Sequence, residues 1–163
     1  MFLYSSGRLQ TVSITNLTTG FLQKMKQQFL HYTGMLHPTF CTFINFAIEP
    51  FISTYFDKSQ DGAYPHIASS APLFPTRIQF GWQQPLNDNF FINEIKLASD
   101  NLLQTALDDG QDVGGIKQIR YSNMALENTP LSEIYGNNVA RLKSIRQAWD
   151  PENIMYLTGG FKL

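Results

Sequence analysis

Alternation and helical periodicity divide the chain into seven elements. Leu9 to Thr15 alternates, with Leu9, Thr11 and Ser13 set against Gln10, Val12 and Ile14, which predicts a strand. Thr18 or Thr19 can cap a following helix. Its apolar positions, Phe21, Leu22, Met25, Phe29 and Tyr32, recur at three and four residues as one stripe, and Gly34 stops it. Residues 39–48, rich in Phe, Thr and Ile, read as a second strand. Phe74 to Gln83 reads as a third, with Ile78, Phe80 and Trp82 on one face and Arg77 and Gln79 on the other. Asn87 or Asp88 opens a helix with Phe91, Ile95, Ala98, Leu102 and Ala106 inward and Glu94, Lys96 and Asp100 outward, ended by Gly110. Residues 116–124 predict a fourth strand. Leu131 to Ala148 predicts a third helix, with Ile134, Val139, Leu142, Ile145 and Trp149 near one stripe, stopped by Asp150-Pro151. Between 49 and 72, Pro50, Pro65 and Pro72 with Asp61-Gly62 and Ser69-Ser70 mark loops around one helical turn at Ile52 to Phe56.

The order is β-α-β, a long loop, then β-α-β-α. Helices of this length permit parallel crossovers or an antiparallel arrangement. The reading adopted is α+β: a mainly antiparallel sheet of about four strands, helices packed on one face, and a C-terminal helix and tail. The chain reads as one domain over 1–163. Both faces of the second and third strands read as carrying large apolar side chains, with Phe40, Ile44 and Phe46 on one and Cys41 and Phe43 on the other. Helices on one side leave the second face to be covered by another body, by self-association or by the 49–72 loop.

Composition narrows the function classes. A chain of 163 residues is long enough to bury a substantial core. A net charge of −1, with Lys and Arg scattered, gives no electrostatic footprint for nucleic acid or an anionic membrane. No apolar run reaches the ~20 residues that span a bilayer, and the N-terminus lacks the charged start and apolar core of a signal peptide. The compartment stays open. Cys41 is the single cysteine, which excludes an internal disulfide and a thiolate metal cluster, and its apolar surroundings predict a small buried hydrophobe. His31, His37 and His66 lack metal-ligand spacing, Gly114-Gly115 is followed by no phosphate-loop signature, and no Gly-x-Ser-x-Gly elbow occurs.

Chemistry concentrates in the last third. On a strand, Tyr121 and Asn123 would share a face, roughly 7 Å apart, and a phenol beside an amide suits a flat polar ring. Tyr121-Ser122-Asn123, then Tyr135-Gly136-Asn137-Asn138, then Asp150-Pro151-Glu152-Asn153-Ile154 and Gly159-Gly160-Phe161-Lys162-Leu163 follow in order. This order and spacing resemble the C-terminal, berberine-bridge-like segment of FAD-linked oxidoreductases, in particular the fungal type that oxidises alcohols or amines in secondary metabolism. The match is strong over 117–163 and loose before it. The chain departs from the family's Tyr-x-Asn-Tyr pattern at Met124, and the acid expected at 126 is Leu126, with Glu127 one place on.

The resemblance implies an incomplete part of a two-domain flavoenzyme. Residues 1–110 would be a partial substrate-binding region and 111–163 the berberine-bridge-like segment. The N-terminal FAD-binding domain, with its covalent attachment residues, is expected to be missing from this chain, which is then expected to be inactive alone. It would be a truncated gene product, a split product or a relic, its flavin domain encoded upstream or supplied by a partner chain. FAD is the implied cofactor and a small molecule the substrate; hydride would pass from substrate carbon to the flavin, which oxygen then reoxidises. Tyr121 is the implied catalytic base, and Asn123, Tyr121 and Asn138 the implied cofactor contacts. A tyrosine acting as base needs help, because a phenol ordinarily ionises only near ~10. Asp150-Pro151-Glu152-Asn153 reads as structural. The alternative from the residues alone is a non-enzymatic α+β binding or dimerisation module that uses the apolar sheet face.

Overall fold

A computed structural model describes residues 5–36, 40–51, 62–65, 74–113 and 119–163. Three antiparallel strands, β1 (Ser6–Ile14), β2 (Cys41–Ile48) and β3 (Phe74–Trp82), form a sheet in the order β1-β3-β2. Two helices, α1 (Thr19–Thr33) and α2 (Asp88–Asp108), pack on one face. The register places Gln10 opposite Ile78, Val12 opposite Thr76, Ile44 opposite Phe80 and Phe46 opposite Ile78. Alternation therefore sends Val12, Ile14, Ile78, Phe80 and Trp82 together into the core, all fully buried or nearly so.

The helices complete that core with the residues their periodicity selects. On α2, Phe91, Ile95, Ala98, Leu102 and Ala106 are all buried, and Phe91 stacks on Trp82 with ring centroids 5.0 Å apart. Each such large side chain contributes roughly 1.5–3 kcal/mol on leaving water. Asn87 precedes α2 without capping it through its side chain, and donates instead to Gln83 O. Asp88 accepts from Trp82 Nε1 at 2.6 Å, which ties the first turn of α2 to the end of β3. On α1 the cap is Thr18, whose hydroxyl accepts from Phe21 N, and Gly34 ends the helix. The buried line of α1 runs through Phe21, Gln28 and Tyr32, while Leu22 and Phe29 flank it at 42% and 39% exposure. The stripe is narrower than the sequence suggests because Gln28 occupies its centre, donating from Nε2 to Ala98 O.

A bulge in β2 corrects the reading of its faces. The register shifts between Cys41 and Phe43, so Cys41 lies opposite Trp82 and is buried in the core, on the same side as Ile44 and Phe46. Phe40, at φ 59, and Phe43 are exposed. Burial pushes the Cys41 thiol up, as befits a packing residue.

The C-terminal third departs most from the expected pattern. The fourth strand expected over 116–124 is not formed in its described part: 119–121 have no sheet partner and Ser122–Met124 is a 3₁₀ turn, while 116–118 lie outside the described residues. The helical turn expected at Ile52 to Phe56 also lies outside them. The cause at 119–124 is Arg120, which is 7% exposed. Its backbone N–H donates to Glu133 O and its Nε to Glu133 Oε2 at 2.9 Å. Its Nη1 donates to Thr11 O at 2.7 Å and to Ser99 Oγ at 2.8 Å. Thr11 N–H is taken by Gln10 Oε1. The outer edge of β1 is thus closed by side chains where a strand would have paired. Beyond the strand, Gln111 Oε1 accepts from Thr15 N and Asn16 N. Met124 and Leu126 then turn inward and are buried.

The single helix expected over Leu131–Ala148 is two. Helix α3 (Leu131–Tyr135) ends at Gly136, which has φ 52 and ψ −129; a 3₁₀ turn follows, then α4 (Val139–Trp149). Ile134 is buried, but Ile145 is exposed and Trp149 is 86% exposed, so the expected stripe does not face this chain's core. Asp150 ends α4 and accepts from Ile154 N and Met155 N, which makes Asp150-Pro151-Glu152-Asn153 the hinge of a tight C-terminal turn. Among the described residues no helix is long and apolar enough to cross a membrane.

Two substitutions test this account. Arg120→Met leaves Glu133 and Thr11 O without their partner and is expected to lower stability in urea unfolding by about 3 kcal/mol. Gly136→Ala places a Cβ 3.2 Å from Ile119 Cδ1 and Pro65 Cγ, in a backbone conformation open almost only to glycine. It is expected to cost about 1–3 kcal/mol by the same assay, whereas Gly159→Ala, with nothing near its Cβ, is expected to change little.

Candidate functional site

The face of the sheet away from α1 and α2 is lined by the alternate residues. These are Thr11 and Ser13 on β1, Arg77 and Gln79 on β3, and Phe43, Asn45 and Ala47 on β2. The expected second apolar face is therefore largely polar, since the bulge removes Cys41 from it and leaves Phe43 at its rim. Arg77 Nη2 donates to Asn45 Oδ1 at 3.4 Å, and its Nη1 lies 3.6 Å from Glu49 Oε1. These long contacts, all partly exposed, make a soft polar row rather than a rigid clamp.

Three aromatic rings gather beside this face. Tyr121 meets Phe51 edge-on, with centroids 5.7 Å apart, and Tyr64 edge-on at 5.8 Å. Tyr121 is half-buried and Asn123 exposed. The 3₁₀ turn, not strand alternation, brings this pair together: Asn123 Nδ2 donates to the Tyr121 hydroxyl oxygen at 2.9 Å. A donor is thus aimed at the atom that would carry charge if the phenol gave up its proton. Helices α1 and α2 lie across the sheet from the pair, beneath the opposite face.

Asn138 plays a different part. Its Nδ2 donates to Gly62 O at 3.3 Å and Ala63 O at 3.2 Å, so its amide holds the loop that carries Tyr64. Gly136 packs against Pro65 of the same loop. The Tyr-Gly-x-Asn turn is therefore a clip on residues 62–65, and those residues present Tyr64 to Ser13 and Tyr121.

Sequence reasoning passed over Tyr64 and Arg120. Tyr64 sits in an irregular stretch with no periodicity to mark it, and Arg120 falls unremarked within the strand expected over 116–124. No group of three or more His, Cys, Asp or Glu side chains among the described residues is arranged to hold a metal ion; His37 and His66 lie outside them.

Tyr64's phenol is pushed up to about 12, first by burial, against which a Ser13 hydrogen bond acts. The folded chain keeps this proton to about pH 12, whereas an unfolded tyrosine loses it near 10. Stability from this group is complete below about pH 10 and falls towards 12, by about 2.7 kcal/mol for two pKa units. Tyr32, held protonated by burial and by Glu94 beside it, acts in the same direction. Urea unfolding at about pH 9 and about pH 11 is expected to show about half of this loss in the wild type and a smaller one in Tyr64→Phe.

Residues 121–159 match the family model described as berberine and berberine like. The match covers 39 of the 163 residues, and takes in the Tyr121–Asn123 turn, the Gly136–Asn138 clip and the Asp150 hinge. No curated protein and no solved structure matches the chain. The matched segment points to the FAD-linked oxidoreductases of the berberine type.

Proposed function

We propose that this chain forms the substrate-side wall of an FAD-dependent oxidoreductase acting on alcohol or amine groups, and works with a flavin domain on the same or a companion polypeptide. One observation carries the reading. Within the segment matched by the berberine-like family, an amide is fixed 2.9 Å from a half-buried phenol oxygen beside a sheet face that the helices leave uncovered. The donor set fits a flavin edge: Asn123 is exposed and amphoteric, and the neighbouring rings of Tyr121, Tyr64 and Phe51 offer flat apolar contact. Asn123 and Tyr121 would touch the cofactor. Asn138 acts through the 62–65 loop as a positioning residue.

A bound flavin would supply the acceptor for the substrate's hydride. The chain's own part is to place the substrate and take its hydroxyl proton. Tyr121, as the phenolate, would accept that proton and become the neutral phenol, with Asn123 Nδ2 donating to the same oxygen. Asn45, Gln79 and Arg77 line the face over which the rest of a substrate would lie. A flavin domain would also cover the exposed apolar side chains of the C-terminal lobe, Trp149, Ile154, Met155, Tyr156 and Leu157, which this chain leaves in water.

Co-expression with a berberine-type flavin domain is expected to give a yellow complex that oxidises alcohols. In that complex Tyr121→Phe should cut turnover by about 100-fold or more, the usual weight of a positioned base, at unchanged flavin content. Unchanged turnover removes Tyr121 from its role. A colourless, monodisperse dimer that takes up no flavin domain would instead favour a non-enzymatic dimerisation module.

A further inference from the structure

A cavity of about 190 Å³ lies apart from the Tyr121 face. It is bounded by Gln10 of β1, Lys96 and Asp100 of α2, Arg120, and the Asn128–Pro130 turn with Glu133. We propose that it binds a small carboxylate or phosphate, gripped by Arg120 and Lys96.

The argument is a count of committed donors. Arg120 carries five N–H groups. Its Nε is spent on Glu133, and its Nη1 on Thr11 O and Ser99 Oγ. Its Nη2, with two hydrogens, approaches only Asp100 Oδ1 at 3.9 Å, beyond hydrogen-bond length. The guanidinium is fixed on its other sides, so this edge is pre-oriented. Lys96 lines the same cavity and has no hydrogen-bond or ion-pair partner among the described residues. Thr129 is buried with its hydroxyl unpartnered at the wall.

The acceptors are fewer. Glu133 Oε2 is committed to Arg120, and the Asp100 side chain is 67% exposed at the mouth, where water screens it. A cation placed here would face two positive groups, and of the two carboxylates Glu133 is already paired with Arg120 and Asp100 is solvated. A compact oxyanion would face unspent donors on two sides, one of them desolvated, where charge-assisted hydrogen bonds are strongest. The volume admits the anion with bridging water.

The test titrates the full chain with inorganic phosphate and, separately, with succinate at constant ionic strength, using chloride as the control, by calorimetry and amide NMR. Saturable binding of either anion is expected, with shifts at Asn128 and Thr129 and an affinity at least about tenfold lower in Lys96→Met, whose thermal midpoint stays at the wild-type value. The stronger arm identifies the preferred head group. The proposal is overturned if neither anion saturates, if Lys96→Met binds like the wild type, or if the shifts map to the basic side chains Arg141, Lys143 and Arg146 of α4.

Discussion

One buried guanidinium organises the part of the molecule where chemistry is expected. Arg120 joins three elements far apart in sequence: the outer edge of β1 at Thr11, the middle of α2 at Ser99 and Asp100, and α3 at Glu133. Taking a cation out of water is expensive, and an ion pair of this kind often contributes no more net stability than apolar residues of the same volume. What it supplies is position. The carbonyl of an edge strand needs a partner, and a strand laid beside it could slip by two residues without exposing its apolar face. A guanidinium hydrogen-bonded to three acceptors on separate elements cannot slip. Tyr121 is its covalent neighbour, so the phenol inherits its place from the core.

The sheet then separates two environments. Its helix side holds the aromatic core of Tyr32, Phe80, Trp82 and Phe91. Its other side presents Arg77, Gln79 and Asn45, with Tyr64 and Tyr121 at the margin. The second face is only partly solvated: Thr11 and Ser13 are buried, while Asn45, Arg77 and Gln79 are half-buried. Polar groups on a sheet cost little while water reaches them; once a second body covers them, each must find a partner or be left unsatisfied. A surface of amides and a loosely held arginine therefore suits a polar ligand layer better than a dry interface with another copy of the chain.

How far this was legible follows from which signals are local. Strand alternation and the α2 stripe depend on residues a few places apart, so Ile78–Phe80–Trp82 and Phe91–Ile95–Ala98 read correctly from the sequence. The 116–124 strand did not, because the competing interaction is nonlocal: Arg120 reaches Thr11 across a separation of 109 residues and Glu133 across 13. The face of Cys41 was misread because a bulge reverses alternation without leaving a glycine in β2 to announce it. The helix break at Gly136 was visible as a glycine, but its conformation is fixed by Pro65 and Ile119, which no pattern places beside it. The pairing of Tyr121 with Asn123 was anticipated, yet through a different geometry, since two residues of a tight turn can meet as readily as two on a strand face.

The C-terminal lobe shows the same logic from the opposite side. The α4 periodicity that marks Ile145 and Trp149 as one stripe is genuine, but among the described residues nothing takes it into a core. The lobe is held by polar geometry: Asp150 caps the 154–157 turn, Arg146 Nη1 donates to Asn153 Oδ1 at 2.5 Å, and Lys162 Nζ donates to Tyr156 O. Such a turn keeps its shape without burying Ile154, Met155 or Leu157. Ile154, Met155 and Leu157 stay 60%, 62% and 86% exposed on a scaffold held by polar contacts. The matched segment ends within this lobe, at Gly159. The Tyr121 turn and most of the apolar lobe thus lie at the two ends of the one matched segment.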